Sequence, residues 1–311
     1  PYAPLRSLSR AEVREVDALE DFACTCALAD IVRAGLPEGL AALEDGLATS
    51  MLEAWEARTG KVLTRTRQQL AERGVRSMAE IDAFLASLSE ELGPAMSADV
   101  SLAMRAAMEG AYQIGRANVF EGLAGQVILD VTDTKAQAWL TDNHLYWVGN
   151  QYDRRISGAI ADTVREKVLE QGFSPAFAGK VLMESLGVEL AAKGGEEYWR
   201  LVAMNATTTA TNFGRVASFE QADVKRVRAV NPLDKRTSEI CQYLHGAIWD
   251  IAPVVGQRDA MLSADSPEAV KEVHRWTTPT EVKRIGGAAG GASADTKALA
   301  AAGIVLAPYH G

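Results

Sequence analysis

The chain has few of the residues that support a disulfide framework, a membrane segment or a familiar catalytic motif. Only three of its 311 residues are cysteine, and this low, odd count argues against a disulfide framework and is typical of a reducing compartment. No uninterrupted apolar run has membrane-spanning length, and no charged-then-apolar leader is present. The HExxH, GxSxG and paired CxxC motifs are also missing. We therefore expect no membrane partner and no enzymatic activity.

Aromatic residues are sparse, at 6% of the chain, whereas apolar residues as a whole reach 48% and alanine is abundant. This composition supports a substantial core and favours closely packed helices over sheets. The formal net charge of −9 repels phosphate at long range, so a dedicated duplex-DNA binder is not the default expectation.

The first 125 residues predict a series of helices. The residues 78–85 continue a helical pattern that we expect to stop at Gly93 and Pro94. An alanine-rich helix is predicted for residues 102–119, where small residues permit close helix approach. Those small residues are Gly110, Ala111, Gly115 and Ala117. Apolar residues recur with helical spacing at Leu40, Leu43, Leu47, Met51, Leu52 and Trp55.

The rest of the chain predicts helices followed by a small β-containing part. Residues 127–131 suit a short strand or an extended lead-in, and a long helix is expected over 196–222. The alternation in residues 224–230 predicts a strand that pairs with 247–251 as a hairpin, and the glycine-rich stretch 286–291 predicts a mobile loop. The expected fold is mainly α: an N-terminal helical region, then an α+β module with a small hairpin near its C-terminus.

The densest cluster of reactive side chains occupies residues 234–246. Cys241 and His245 are four apart, so on a helical turn both side chains can face one ion, and zinc takes thiolate and imidazole ligands. With His310 they form a candidate structural zinc set. The alternative is that Cys241 is buried as a small apolar group and His245 is hydrogen-bonded to a carbonyl.

Charged residues in this region also have alternative interpretations. Asp234 and Arg236 suit a structural pair that fixes a turn, while a contact between Arg236 and a partner or phosphate is the alternative. A basic island is either a contact for nucleic acid or an acidic partner, or a solvated loop. The island consists of Lys225, Arg226, Arg228, Lys235 and Arg236.

The block from Asp234 to Gly246 and the ending Pro308-Tyr309-His310-Gly311 resemble the C-terminal signature of the phage Mu F-like head morphogenesis family. The likeness extends over about residues 130–311. Two departures stand out: Ser238 stands where some members have a first cysteine, and the closing Cys-Arg of the family is missing, as expected for a trimmed segment of a longer chain. The residues that match the signature are Asp234, Arg236, Thr237, Ser238, Cys241, Leu244, His245, Gly246 and His310.

The resemblance implies a minor head protein of a tailed phage or prophage. Such a protein is assembled in the bacterial cytoplasm and lies in the virion interior near the portal, where it assists head assembly or DNA packaging and ejection. The implied partners are the portal protein, the scaffold or major capsid protein, and DNA through Lys225, Arg226, Arg228 and Lys235. Residues 1–125 would face portal or scaffold, and 126–311 would be the head morphogenesis domain, truncated within its last motif.

Two alternatives remain beside this interpretation. One is the delivery module of a longer head protein that carries a toxin or enzyme domain, as some members of the family do. The other is a metal-dependent hydrolase built on the Cys/His cluster, which predicts loss of activity on chelation.

Overall fold

The structure, a computed structural model, describes residues 39–73, 78–123, 127–171, 195–229, 238–274 and 277–305. These residues are mainly helical with one two-stranded antiparallel sheet, which confirms the predicted fold class. Within this described part, no helix combines the length and apolar character needed to cross a membrane.

The chain divides into two compact units. One comprises Pro37–Gly214, and the other contains the described residues from Arg215 onward. The predicted boundary at residues 125 and 126 lies inside the first unit, in the connection between two long helices that pack against each other. Where the family's domain begins therefore stays a prediction.

The first unit is built from long helices. They are α1 (Leu40–Arg73), α2 (Met78–Leu123), α3 (Val131–Gln171) and the greater part of α4 (Glu196–Gln221). The bounds of α4 agree with the predicted helix over 196–222.

The predicted helix stop at Gly93 and Pro94 is wrong, because α2 continues through Pro94. Proline removes one helical hydrogen bond, here to the carbonyl of Glu90, but Pro94 and Glu90 are both exposed, so water can satisfy that carbonyl. The neighbouring Leu92 and Met96 are buried and hold the helix against its unit. Tertiary packing thus outweighs the local preference for a break.

Glycines bring the helix backbones of this unit into direct contact. A Cβ added at Gly115 of α2 would overlap the carbonyl oxygen of Thr211 of α4, and a Cβ at Gly214 would overlap the carbonyl oxygen of Tyr112. A Cβ at Gly149 of α3 would lie 2.6 Å from the carbonyl oxygen of Gly93. The prediction of close helix approach is confirmed at Gly115.

A polar network around the buried Asp133 fixes the start of α3. The carboxylate of Asp130 accepts from the amides of Thr132 (2.7 Å) and Asp133 (3.1 Å), while Asp133 accepts from the amide of Asp130 (2.8 Å), which is a reciprocal cap. Asp133 also accepts from the Tyr112 hydroxyl (2.6 Å), and Arg116 Nε lies 3.2 Å from its Oδ1. Residues 127–130 are therefore an extended lead-in to α3 and not a strand.

The second unit consists of short elements that follow α4. The predicted hairpin is confirmed, although its strands are shorter than expected: Val227 pairs with Trp249 in antiparallel register. The elements are β1 (Arg226–Arg228), α5 (Glu239–Leu244), β2 (Ile248–Asp250), α6 (Ile251–Leu262), α7 (Pro267–Val273), α8 (Pro279–Gly286), a 3-10 turn (Gly291–Ser293) and α9 (Thr296–Ala301).

Trp249 of β2 lies at the centre of the second unit's core and is 1% exposed. Arg258 of α6 is also buried, and its guanidinium donates to Glu220 (2.8 Å) and to Asp259 (2.6 Å), so the buried cation faces two carboxylates. The apolar residues that share this core include Ile240, Leu244, Val254, Val282, Leu299 and Ile304.

Candidate functional site

The described part of the signature begins with a helix cap. The hydroxyl oxygen of Ser238 accepts a hydrogen bond from the amide of Cys241 (3.2 Å) at the start of α5. Serine is a strong N-cap residue because its side-chain oxygen reaches the amide three residues on. The departure from the family pattern at Ser238 thus has a structural role here. The signature residues that lie outside the described residues are Asp234, Lys235, Arg236, Thr237 and His310.

Helix α5 turns the middle of the signature toward the core. Cys241 and Leu244 are buried, and His245 is the C-cap residue of the helix and is partly exposed. This placement favours the interpretation of Cys241 as a packing residue. No group of three His, Cys, Asp or Glu side chains suited to a metal ion occurs in the described ranges, which do not include His310. The structural zinc set stays a prediction.

Gly246 closes the turn between α5 and β2. Its φ of +83° lies in the left-handed region, which a residue with a Cβ adopts at an energetic cost. Its amide donates to the carbonyl of Ala229 (2.7 Å), and the amide of Ala229 donates to the carbonyl of Ala247 (2.9 Å). The last residue of the signature block therefore ties α5 to the end of β1.

The glycine-rich stretch packs around Tyr243 of α5, whereas the sequence predicts a mobile loop. The Tyr243 hydroxyl donates to the carbonyl of Gly287 (2.5 Å). A Cβ at Gly286 would lie 2.7 Å from that hydroxyl oxygen, and a Cβ at Gly290 would lie 2.8 Å from the Tyr243 ring. Glycine is required at Gly290 because the loop follows the ring surface closely. Sequence reasoning missed Tyr243, whose only signal was its position between signature residues.

Three members of the basic island lie in β1 or directly before it. Lys225, Arg226 and Arg228 are exposed, while Lys235 and Arg236 lie outside the described residues. The Lys225 ammonium forms an ion pair with the carboxylate of Asp223.

The register of the hairpin places Arg226 directly opposite Asp250 and Arg228 opposite Ile248. Two carboxylates, including the one paired with Lys225, therefore lie among the three cations, so the local excess of positive charge is small. Contact with DNA stays a prediction.

Taken together, the described signature residues cap a helix, pack in the core and form a glycine turn. Comparisons with protein-family models, curated proteins and solved structures found no match to this chain. The family resemblance therefore depends on the signature residues and on the upstream likeness in the sequence.

Proposed function

We propose that this chain is a minor head protein of a tailed phage or prophage, located in the virion interior near the portal. It would assist head assembly or the packaging and ejection of DNA. The proposal is carried by the resemblance of residues 234–246 to the head morphogenesis signature, together with the structural role of the described part of that block. It includes no catalytic step.

The placement of the signature residues supports a role in assembly. Ser238 caps α5, Leu244 is buried, and Gly246 has a left-handed backbone and donates to Ala229. Residues of this kind fix a local fold, so the same pattern can mark a family of structural proteins without marking a reaction. The signature would then preserve the shape of a module that a virion partner contacts.

The long helices of the first unit supply an extended surface for a large partner. At about 1.5 Å per residue, the 46 residues of α2 span roughly 70 Å. Leu102 on this helix is 79% exposed, the highest exposure among the large apolar side chains described as exposed. Both features lie within residues 1–125, upstream of the resemblance, which we expect to face portal or scaffold, and they make α2 the first surface to test.

The test is co-expression with the portal protein of the same phage or prophage genome, followed by affinity capture and size-exclusion chromatography. We expect a complex that survives both steps, and no complex with the portal protein of an unrelated phage. Failure of well-folded protein to bind its cognate portal, or to enter assembled heads, would contradict the proposal.

A pair of variants locates the contact on the helices. Leu102→Asp should weaken portal binding because it places a charge on an exposed apolar side chain of α2. Ala57→Asp, at an exposed position of α1, introduces the same charge and serves as the matched control. Equal portal binding by both variants would exclude Leu102 as the contact while leaving the head assignment open to the capture experiment.

A further inference from the structure

At one edge of the small sheet in the second unit, backbone hydrogen-bonding groups have no partner among the described residues. In an antiparallel pair, hydrogen-bonded residue pairs alternate with pairs whose N–H and C=O groups point away from the partner strand. The amide of Ile251 donates to the carbonyl of Lys225 just before β1, and the amide of Ala229 donates to the carbonyl of Ala247 just after it. Because the register alternates, Arg226 and Arg228 direct their N–H and C=O groups outward from the hairpin.

The two outer edges of this hairpin differ. On the β2 side, the carbonyl of Ile248 accepts a hydrogen bond from the hydroxyl of Thr296 in α9 (2.9 Å). On the β1 side, the outward backbone groups of Arg226 and Arg228 have no hydrogen-bond partner in the described part of the chain. An unpaired strand edge of this kind is a template for a further strand.

The side chains of β1 indicate which strand would fit. Arg226 and Arg228 are exposed on one face, and Val227 between them is partly buried against the core that contains Trp249. A strand laid beside β1 would place alternate residues next to Val227 and next to the arginines. Arg228 lies opposite Ile248, which is 38% exposed and carries no charge that could neutralise the guanidinium.

We propose that the β1 edge binds an extended segment of a partner protein in which acidic residues alternate with apolar residues. The backbone of the segment would pair with Arg226 and Arg228. One carboxylate would contact Arg228, and a neighbouring apolar side chain would lie beside Val227. This interaction surface does not depend on the proposed head function.

An acidic strand fits this surface better than a nucleic acid does. Binding to a phosphate backbone relies on several cations that neutralise phosphates. Here Lys225 pairs with Asp223 and Arg226 faces Asp250, so Arg228 is the cation of β1 with no acidic residue opposite it. A nucleic acid would also leave the strand-edge amides and carbonyls unused, whereas an extended peptide pairs with them.

The experiment measures binding of the full chain to a fluorescent peptide of alternating valine and aspartate. We expect saturable binding that weakens about tenfold in Arg228→Glu, because a like charge then faces the peptide carboxylate. Arg284→Glu, an equal charge change at an exposed position of α8, is the matched control and should bind as the unmodified chain does. A valine–lysine peptide should show the reverse preference, with tighter binding to Arg228→Glu.

Hydrogen exchange distinguishes pairing of the peptide backbone with β1 from attraction between charged side chains alone. The amides of Arg226 and Arg228 should exchange rapidly in the free chain and become protected when the valine–aspartate peptide is bound. The proposal is overturned if the peptide does not bind, or if it binds without protecting these two amides. It is also overturned if duplex DNA at the same salt concentration binds at Arg228 and the peptide does not.

Discussion

The two units of this chain hold their elements together in different ways. In the unit Pro37–Gly214, four long helices meet at glycines, and Arg116 and Asp133 form a buried ion pair; the other unit also holds a buried cation, Arg258, beside two carboxylates. From Arg215 onward, the longest described helix that follows α4 has 12 residues, and caps, glycine turns and a hairpin join the elements.

The difference indicates where each unit is vulnerable. In the first unit, the most harmful changes should be those that add volume between helices or remove the carboxylate of Asp133 from the buried Arg116. In the second unit, the conformation of single turn residues should matter more. The following predictions test this contrast in order of decreasing expected effect.

The largest effect is expected for Asp133→Ala in the first unit. Asp133 is 4% exposed and interacts with Tyr112, Arg116 and the amide of Asp130, so its removal takes away a carboxylate that contacts the buried Arg116. Loss of one partner of a buried pair costs about 3–5 kcal/mol. Urea unfolding of the variant, compared with the unmodified chain, measures this loss.

The matched control is Asp99→Ala, which removes the carboxylate that Arg58 contacts at a partly exposed site of the same unit. Exposed pairs typically contribute about 1 kcal/mol or less. If Asp133→Ala and Asp99→Ala lose equal stability, burial of the Asp133–Arg116 pair does not increase the cost of removing its carboxylate.

The stability of the chain should depend on pH through His144 of α3. Burial lowers the pKa of His144 from its ordinary value of 6.5 to about 4. The unfolded chain therefore binds more protons than the folded chain between these values, so the free energy of unfolding falls as the pH is lowered through this window. The loss amounts to as much as about 3 kcal/mol, at about 1.4 kcal/mol per unit of pKa difference.

The measurement is urea unfolding at intervals from pH 7 to pH 4 for the unmodified chain and for His144→Gln. The variant should lack this component of the pH dependence, whereas His274→Gln in the second unit should retain it. An unchanged pH profile in His144→Gln would show that the pKa of His144 is the same in the folded and the unfolded chain.

Gly115→Ala should destabilise the first unit by about 1–3 kcal/mol, the range found when volume is added to a packed interior. The new methyl group would overlap the Thr211 carbonyl oxygen, which is backbone and cannot move alone. Gly60→Ala is the control, since a Cβ at this exposed position of α1 meets nothing within 4 Å. The control should gain about 0.5–1 kcal/mol from helix propensity, and thermal unfolding should move the two variants in opposite directions.

The smallest effect is expected at the end of α4. Asp223 has φ +53°, and its amide donates to Glu220 (3.0 Å) in the turn that ends the helix. Asp223→Gly should stabilise the chain by roughly 0.5–1 kcal/mol because glycine adopts this conformation without strain, and the ion pair with Lys225 that it removes is exposed and contributes little. Asp250→Gly, at an extended φ of −69°, should not stabilise, and equal thermal shifts in both variants would contradict the role of backbone conformation.

The sequence predicted the structure best where a local pattern of residues determines it. Alternation in residues 224–230 predicted a strand that pairs with 247–251, and the small residue Gly115 predicted close helix approach, because both signals depend on local patterns. The continuation of α2 through Pro94 could not be predicted, since it depends on packing by buried neighbours on the same helix.

In the candidate site, too, features that depend on local sequence differ from contacts that form only after folding. The structure places Ser238 as a helix cap and Gly246 as a turn residue, roles that depend on local chemistry but that were not predicted for them from the sequence. The contact of Tyr243 with Gly287 joins residues 44 positions apart, and no periodicity connects them. The pair of Asp133 and Arg116 was missed for the same reason, because side chains from two helices meet only after folding.

Gly246, the last residue of the signature block, ties α5 to the end of β1, and hydrogen exchange in Gly246→Ala tests that role. We expect the amide of Ala229, which donates within this turn, to exchange about tenfold faster in the variant, since a left-handed alanine costs about 1–2 kcal/mol. Amides of α2 should be unchanged, as should Ala229 in the control Gly256→Ala. Equal protection of Ala229 in Gly246→Ala and in the unmodified chain would contradict the claim.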